Sequence, residues 1–176
     1  MRLWNGAVHT GKLAAMPFVL RPARASDAAP VAEIWHDSWR DGHLGHVPDE
    51  LVTIRTRESF GPRAADRIAD TVVATDGGAI VGFVTVAGDE VEQVFVAAGH
   101  RGTGVAAALL EAGERHVAAN GYDQAWLAVA TGNARARRFY EREGWSDEGP
   151  FDYAAETKDG TIAVPCHRYV KPCASG

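Results

Sequence analysis

The stretch Arg101-Gly102-Thr103-Gly104-Val105-Ala106 places two glycines where a strand-like pattern gives way to a helical one. Glycines at such a corner let the backbone bend and let a ligand approach without meeting a Cβ. The first turn of a helix carries unpaired N–H groups and the positive end of the dipole. The corner therefore suits an anion, phosphate or pyrophosphate in particular. Further along, helical spacing puts Asn133, Ala136, Arg137 and Tyr140 on one face, so an amide and a phenol can meet one ligand. Upstream, Glu90 and Glu92 fall by alternation on the same strand face as Val94. A carboxylate is a weak base unless burial raises its pKa or water relays the proton. His43 and His46, between two helical segments, are the alternative proton acceptors near neutral pH.

The glycine corner alone admits several ligands. A P-loop needs Lys and Ser/Thr after its last glycine, and Val105-Ala106 stand there instead. A dinucleotide fingerprint needs a third small residue, which Ala107 supplies, and an acidic residue closing a βαβ unit, which is not evident. A nucleotide-binding α/β protein thus stays as a weaker alternative.

A second stretch, Asn133-Ala-Arg-Ala-Arg-Arg-Phe139-Tyr140-Glu-Arg-Glu-Gly144-Trp145, changes the weighting. Together the two stretches resemble the GNAT superfamily of acetyl-CoA-dependent N-acetyltransferases. Arg101, Gly104 and Ala106 match its Q/R-x-x-G-x-G/A motif. Asn133, Ala136, Phe139, Tyr140, Gly144 and Trp145 match its N-x-x-A-x-x-F/L-Y-x-x-x-G-F/W motif. The likeness extends over Phe18 to Lys171 and is motif-strong from Val91 to Trp145.

The resemblance implies acetyl-CoA as acyl donor and no metal. It implies that Arg101, Gly102, Thr103, Gly104, Val105, Ala106 and Ala107 hold the pyrophosphate. It implies that Val94, Phe95 and Val96 flank the pantetheine arm, the Val94 N–H meeting the thioester oxygen. Asn133, Ala136 and Tyr140 would complete the cofactor site. Tyr140 would protonate the departing thiolate, and Glu92 or Glu90 would deprotonate the amine. Trp39, His43 and His46 would wall the acceptor pocket. Each has a plainer alternative. The valines suit a core, Asn133 a helix N-cap, Phe139-Tyr140 an aromatic packing pair. One departure from the family is Ala98, where many members carry proline.

The expected activity is transfer of an acetyl group to a primary amine of an unidentified small molecule by direct attack in a ternary complex. A protein N-terminus or lysine is the alternative acceptor, and a non-catalytic acyl-CoA-binding module the alternative role. The expected partners are acetyl-CoA and the amine, with room for a homodimer, in the cytoplasm.

These residues need a scaffold. Phe18–Ala23 reads as a strand, followed by a helix from Ser26-Asp27 to about Asp41 and another from Asp49 to about Glu58. Gly61-Pro62 reads as punctuation and Arg63–Asp70 as a helical turn. Thr71–Thr75, Ala79–Val86 and Val91–Val96 form an antiparallel meander. A helix from Val105 to Asn120, a strand Gln124–Val129 and the Asn133–Glu143 helix follow. Trp145–Glu156, interrupted at Gly149-Pro150, and Ile162–Val170 are the last strands. The fold class is α/β (α+β): a GNAT-like mixed, splayed sheet of about seven strands with flanking helices.

Bulk properties agree with one domain. The 176 residues are 46% hydrophobic and 23% charged, enough for one core. A net charge of −5 argues against a general nucleic-acid footprint, and no apolar run approaches ~20 residues, the length of a membrane span. Residues 1–16 read as a flexible leader, with Met16 an alternative start, and residues 17–172 as the single domain. Cys166 and Cys173, on one extended segment, lie up to ~23 Å apart, beyond the ~7 Å Cα separation that a disulfide tolerates.

Overall fold

The computed structural model describes residues 17–173; the expected leader lies outside them. In chain order the elements are β1 (Val19–Pro22), α1 (Ala28–His43), α2 (Asp49–Ile54), α3 (Phe60–Asp66), β2 (Thr71–Asp76), β3 (Ala79–Ala87) and β4 (Glu90–Val96). They continue as α4 (Val105–Ala119), β5 (Gln124–Ala130), α5 (Ala134–Arg142), β6 (Ser146–Thr157) and β7 (Gly160–Pro172). The seven strands form one sheet in the order β1-β2-β3-β4-β5-β7-β6. Every pairing is antiparallel except β4–β5.

Each face of the sheet is covered by helices whose apolar stripes match it. On one face α4 buries Val105, Leu109, Leu110 and Val117 against Val84, Val91, Leu127 and Val129. On the other, α1 and α3 bring Val31, Trp35, Trp39 and Phe60 onto Val73 and Phe83. The spacing of Val31, Trp35, Ser38 and Trp39 along α1 gives one buried stripe. At its start Asp27 accepts the Arg24 N–H at 2.7 Å and pairs with Arg21 at 2.6 Å.

Three departures from the sequence reading have local causes. The second helix ends at Ile54 rather than near Glu58, because Arg55 leaves helical geometry at ψ 57. Gly61-Pro62 does not punctuate: it lies in the first turn of α3, where proline's missing N–H would have had no intrahelical partner. Gly149-Pro150 does not interrupt β6. The register shifts between Asp147 and Gly149, and β6 is an edge strand, which tolerates a residue that cannot donate.

Two irregularities shape the centre. Thr85 faces Gln93 but Val86 faces Val91, so Glu92 is an extra residue on β4, a β-bulge. Beyond it, β4 and β5 are in register at Glu90–Trp126 alone. That contact is clasped by Asp89, whose carbonyl accepts the Trp126 N–H at 3.0 Å and whose carboxylate accepts the indole N–H at 3.0 Å. From this apex the two strands diverge and the sheet opens. No helix among the described residues is long and apolar enough to cross a membrane.

Candidate active site

The opening between β4 and β5 is the mouth of a cavity of about 450 Å³, lined from both faces of the sheet. Its walls include Trp39 and His43 of α1, all of β4, Leu127–Ala130 of β5, Ala136 and Tyr140 of α5, and Tyr153 of β6.

The diverging edge of β4 is chemically open. The Ala97 N–H donates to Val81 O at 2.8 Å, so in this antiparallel pair the N–H groups of Phe95 and Gln93 point toward β3 as well. Those of Val94 and Val96 point the other way, into the gap. Ser38, buried on α1, donates to the Val96 carbonyl at 3.3 Å. The Val94 N–H is thus a donor aimed at the cavity, with its side chain packed on the α4 face. Phe95 points to the opposite face, 6.3 Å from the His43 ring.

At the end of β4 the chain turns through Gly102 (φ 76) and Gly104 (φ 87) before α4. Both lie in the left-handed region that glycine adopts without strain. No side chain caps α4, and its first helical bond is Ala108 N–H to Gly104 O at 3.1 Å. The N–H groups of Val105, Ala106 and Ala107 therefore remain donors without an intrahelical acceptor. A pyrophosphate fits such a corner. Arg101, Gly102 and Ala106 line the cavity; Thr103 is exposed and donates to His100 O, and the Val105 side chain is in the core. Arg101 pairs with Asp41 at the end of α1, at 2.6 Å.

The bulge reverses the alternation expected for the two carboxylates. Glu90 and Glu92 do not share the face of Val94; they sit on the α1/α3 side. Glu92 pairs with Arg67 at 3.0 Å, and its other carboxylate oxygen is buried without a partner. Glu90 accepts from the Tyr153 hydroxyl at 2.8 Å. Burial lifts its pKa to about 7, against that hydrogen bond and with help from Glu92. Tyr153 itself, in the same pocket and beside these acids, has its pKa raised, first by burial.

Tyr140 faces the cavity from the opposite side, packed against Phe139, Trp145 and Tyr169. Burial pushes its phenol up to about 12, a weaker acid than sequence reasoning assumed. Asn133 is the N-cap of α5. Its oxygen accepts the Ala136 N–H at 3.1 Å and its amide donates to Gly42 O at 3.1 Å. Both ends are engaged, as the capping alternative expects.

His43 stacks on Trp39 at 4.9 Å and its Nδ1 lies 2.9 Å from the Trp39 carbonyl. A carbonyl only accepts, so Nδ1 carries the proton and Nε2 is the free lone pair. Burial holds the ring's pKa below the ordinary value. His46 is exposed and sits against Gly132, where an added Cβ would fall 2.3 Å from its Nδ1. It is not among the residues that line the cavity.

Sequence reasoning missed Tyr153, Arg55 and Arg63, all on the cavity wall. Tyr153 reaches Glu90 from across the sheet, which no local pattern encodes. Ser38 carried a usable signal, a polar residue within the apolar stripe of α1.

A model of the acetyltransferase (GNAT) family matches residues 29–145, well over half of the chain. The chain belongs to the GNAT family. It is accordingly an acyltransferase, an acetyl-CoA-dependent N-acetyltransferase. An uncharacterized N-acetyltransferase of Mycobacterium tuberculosis (strain ATCC 25618 / H37Rv) is 30% identical over 112 residues, 58% of this chain and 72% of that protein. Among solved structures, the PaiA N-acetyltransferase of Thermoplasma acidophilum in complex with coenzyme A is similar with a TM-score of 0.68 at 16% identity, covering 89% of this chain and 99% of the other. A GNAT superfamily phosphinothricin acetyltransferase of Sinorhizobium meliloti in complex with acetyl-CoA gives 0.67 at 21% identity, covering 92% and 91%. At these identities the likeness is one of fold, and the fold is the splayed GNAT sheet.

Proposed function

We propose that this GNAT enzyme acetylates a primary amine on a small molecule by direct attack within a ternary complex. The carrying observation is a cavity that passes through the sheet with a carboxylic acid of pKa about 7 on one side and a protonated phenol on the other. Acetyl-CoA supplies the acyl group as a thioester. On the α4/α5 side the α4 N–H corner holds its pyrophosphate and the Val94 N–H receives the thioester oxygen as negative charge develops there. On the α1/α3 side the acceptor enters beside Trp39 and His43. The depth of that side, with Trp35 at 2% exposure on its wall, supports a small acceptor over a protein surface.

Glu90 and Val94 lie opposite Ala87 and Val84, three residues apart on β3 and so about 10 Å from each other, and Glu90 takes the ammonium proton through water. The freed amine forms the C–N bond, the C–S bond breaks, and the second proton of the attacking nitrogen passes to the thiolate by way of the Tyr140 hydroxyl, which gives one proton and takes one. At about 12 the phenol lies above a thiol near ~8.5. Tyr140 therefore hydrogen-bonds the thiolate as it forms and gives up its proton only as it regains one from the nitrogen.

A base must be ionised to work, so kcat/KM rises with pH through about 7 as Glu90 loses its proton. The amine's own ionisation, near ~10, adds a separate rise. With an accepted amine and thiol release as readout, Glu90→Gln lowers kcat/KM at neutral pH by about 10²–10⁴ and erases the inflection near 7. An inflection near 7 that survives in Glu90→Gln removes Glu90 as the base; one displaced below 6.5 points to His43, whose pKa burial lowers.

A further inference from the structure

The acceptor half of the cavity contains two guanidinium groups that form no ion pair among the described residues. Arg55, just past α2, is 7% exposed and gives one nitrogen to the Glu156 main-chain oxygen at 2.7 Å. Arg63 of α3 lies over the Trp35 ring, 5.1 Å from its centroid, and its Nε is buried without a hydrogen-bond partner. Both line the cavity, and among the described residues neither forms an ion pair. The acids beside them form no ion pair with them: Glu92 gives one oxygen to Arg67 and keeps the other buried without a partner, and Glu90 accepts from Tyr153. Glu156 contributes its main chain, and the residue is exposed. The two arginines also repel. The pKa of Arg55 is pushed down to about 10, by burial first and by the Arg63 charge second.

A buried, unpaired guanidinium is costly, and its planar fork matches a carboxylate through parallel N–H···O bonds. The CoA phosphates are not the missing anion. Their donors lie past Val96 at the far end of β4. Arg63 is close enough to Glu92, Glu156 and Tyr153 to feel their charges, so it sits beside the first half of β4, about 10–15 Å away. We propose that the acceptor is a small amine that also carries a carboxylate, an amino-acid-like molecule whose carboxylate is held by Arg55 and Arg63 and whose amine points to the acids of β4. This rests on the reading of the α1/α3 side as the acceptor side.

The test compares the standard amino acids with their matched carboxamides as acceptors, for wild type, Arg63→Gln and Arg63→Lys, each first shown to be folded by thermal melting. For at least one pair, wild type favours the acid by about 10–100-fold in kcat/KM, the span of a charged hydrogen-bond pair. Arg63→Gln brings the ratio close to one, chiefly through KM of the acid, and Arg63→Lys restores part of it. If Arg63→Gln does not fold, Arg63→Lys carries the comparison, with an intermediate ratio expected. Amides accepted as well as acids by wild type, or a ratio indifferent to Arg63, overturn the proposal while leaving the enzyme reading intact. If nothing turns over, binding of the N-acetyl acids and N-acetyl amides to the CoA-loaded protein decides. Tighter binding of the acid, lost in Arg63→Gln, supports it; equal binding, or none, overturns it. Failure of the acetyltransferase reading shows separately, as absence of acetyl-CoA binding.

Discussion

Single side chains here carry roles that their neighbours set. Glu90 and Glu92 are two residues apart on one strand, yet one titrates near neutrality beside a tyrosine and the other is paired with Arg67. Glu90 is thereby poised to exchange a proton at pH 7. For Tyr140 a catalytic role and a packing role predict different outcomes. Its ring touches Phe139, Trp145 and Tyr169, while its hydroxyl makes no hydrogen bond among the described residues. Tyr140→Phe keeps the ring and removes the donor. Acetyl-CoA affinity then holds within a few-fold while turnover falls by about 10²–10⁴. A residue that only packs gives the reverse: near-normal turnover for Phe and a stability loss of about 3–5 kcal/mol for Ala. Affinity and turnover measured side by side decide, and turnover within about threefold of wild type, well short of the general-acid span, leaves Tyr140 a core residue.

At the scale of elements, the cap of α5 holds two helices in place. Asn133 closes the first turn of α5 through Ala136 and ties it to the end of α1 through Gly42. Asn133→Asp keeps the acceptor and loses the donor; Asn133→Ala loses both. The expected costs are about 1 kcal/mol for the cap and a further 0.5–1.5 kcal/mol for the tie, so denaturant unfolding should rank wild type above Asp above Ala. Equal stability of Asp and Ala would mean that the cap contributes nothing. Element order and the glycine corner were legible because they are local: Gly102, Gly104 and Asn133-to-Trp145 encode geometry within a few residues. The bulge was not. Val-Glu-Gln-Val alternates well enough to look like regular strand, and only the β3 register reveals Glu92 as the extra residue. That single insertion moved both carboxylates to the opposite face. Pro62 misled for the complementary reason: proline breaks a helix interior but suits its first turn, and only the burial of Phe60 tells which applies.

The whole molecule is two half-sheets, β1–β4 and β5–β7–β6, joined within the sheet at the Glu90–Trp126 apex and bridged by helices. Its weak line is the gap where acetyl-CoA is expected to bind. A ligand there must act as a missing strand, accepting from the β4 edge and bearing on β5, so binding stabilises the entire fold and not one loop. At ligand near 100 times its dissociation constant the gain is about 2.7 kcal/mol, which for a chain of this size raises the melting temperature by about 5–10 °C. Amide exchange locates the gain. The Val94 and Val96 amides, directed into the gap, slow on binding together with Leu127–Ala130, while the β6–β7 turn at Lys158–Gly160 stays unchanged. Gly104→Asp forces a side chain into a left-handed φ and sets a negative charge beside the pyrophosphate donors. It loses both the melting shift and the protection at the gap. Protection confined to the start of α4, with the Val94 amide unaffected, would mean that the cofactor rests on the corner without entering the sheet, and the through-sheet mechanism would have to be given up.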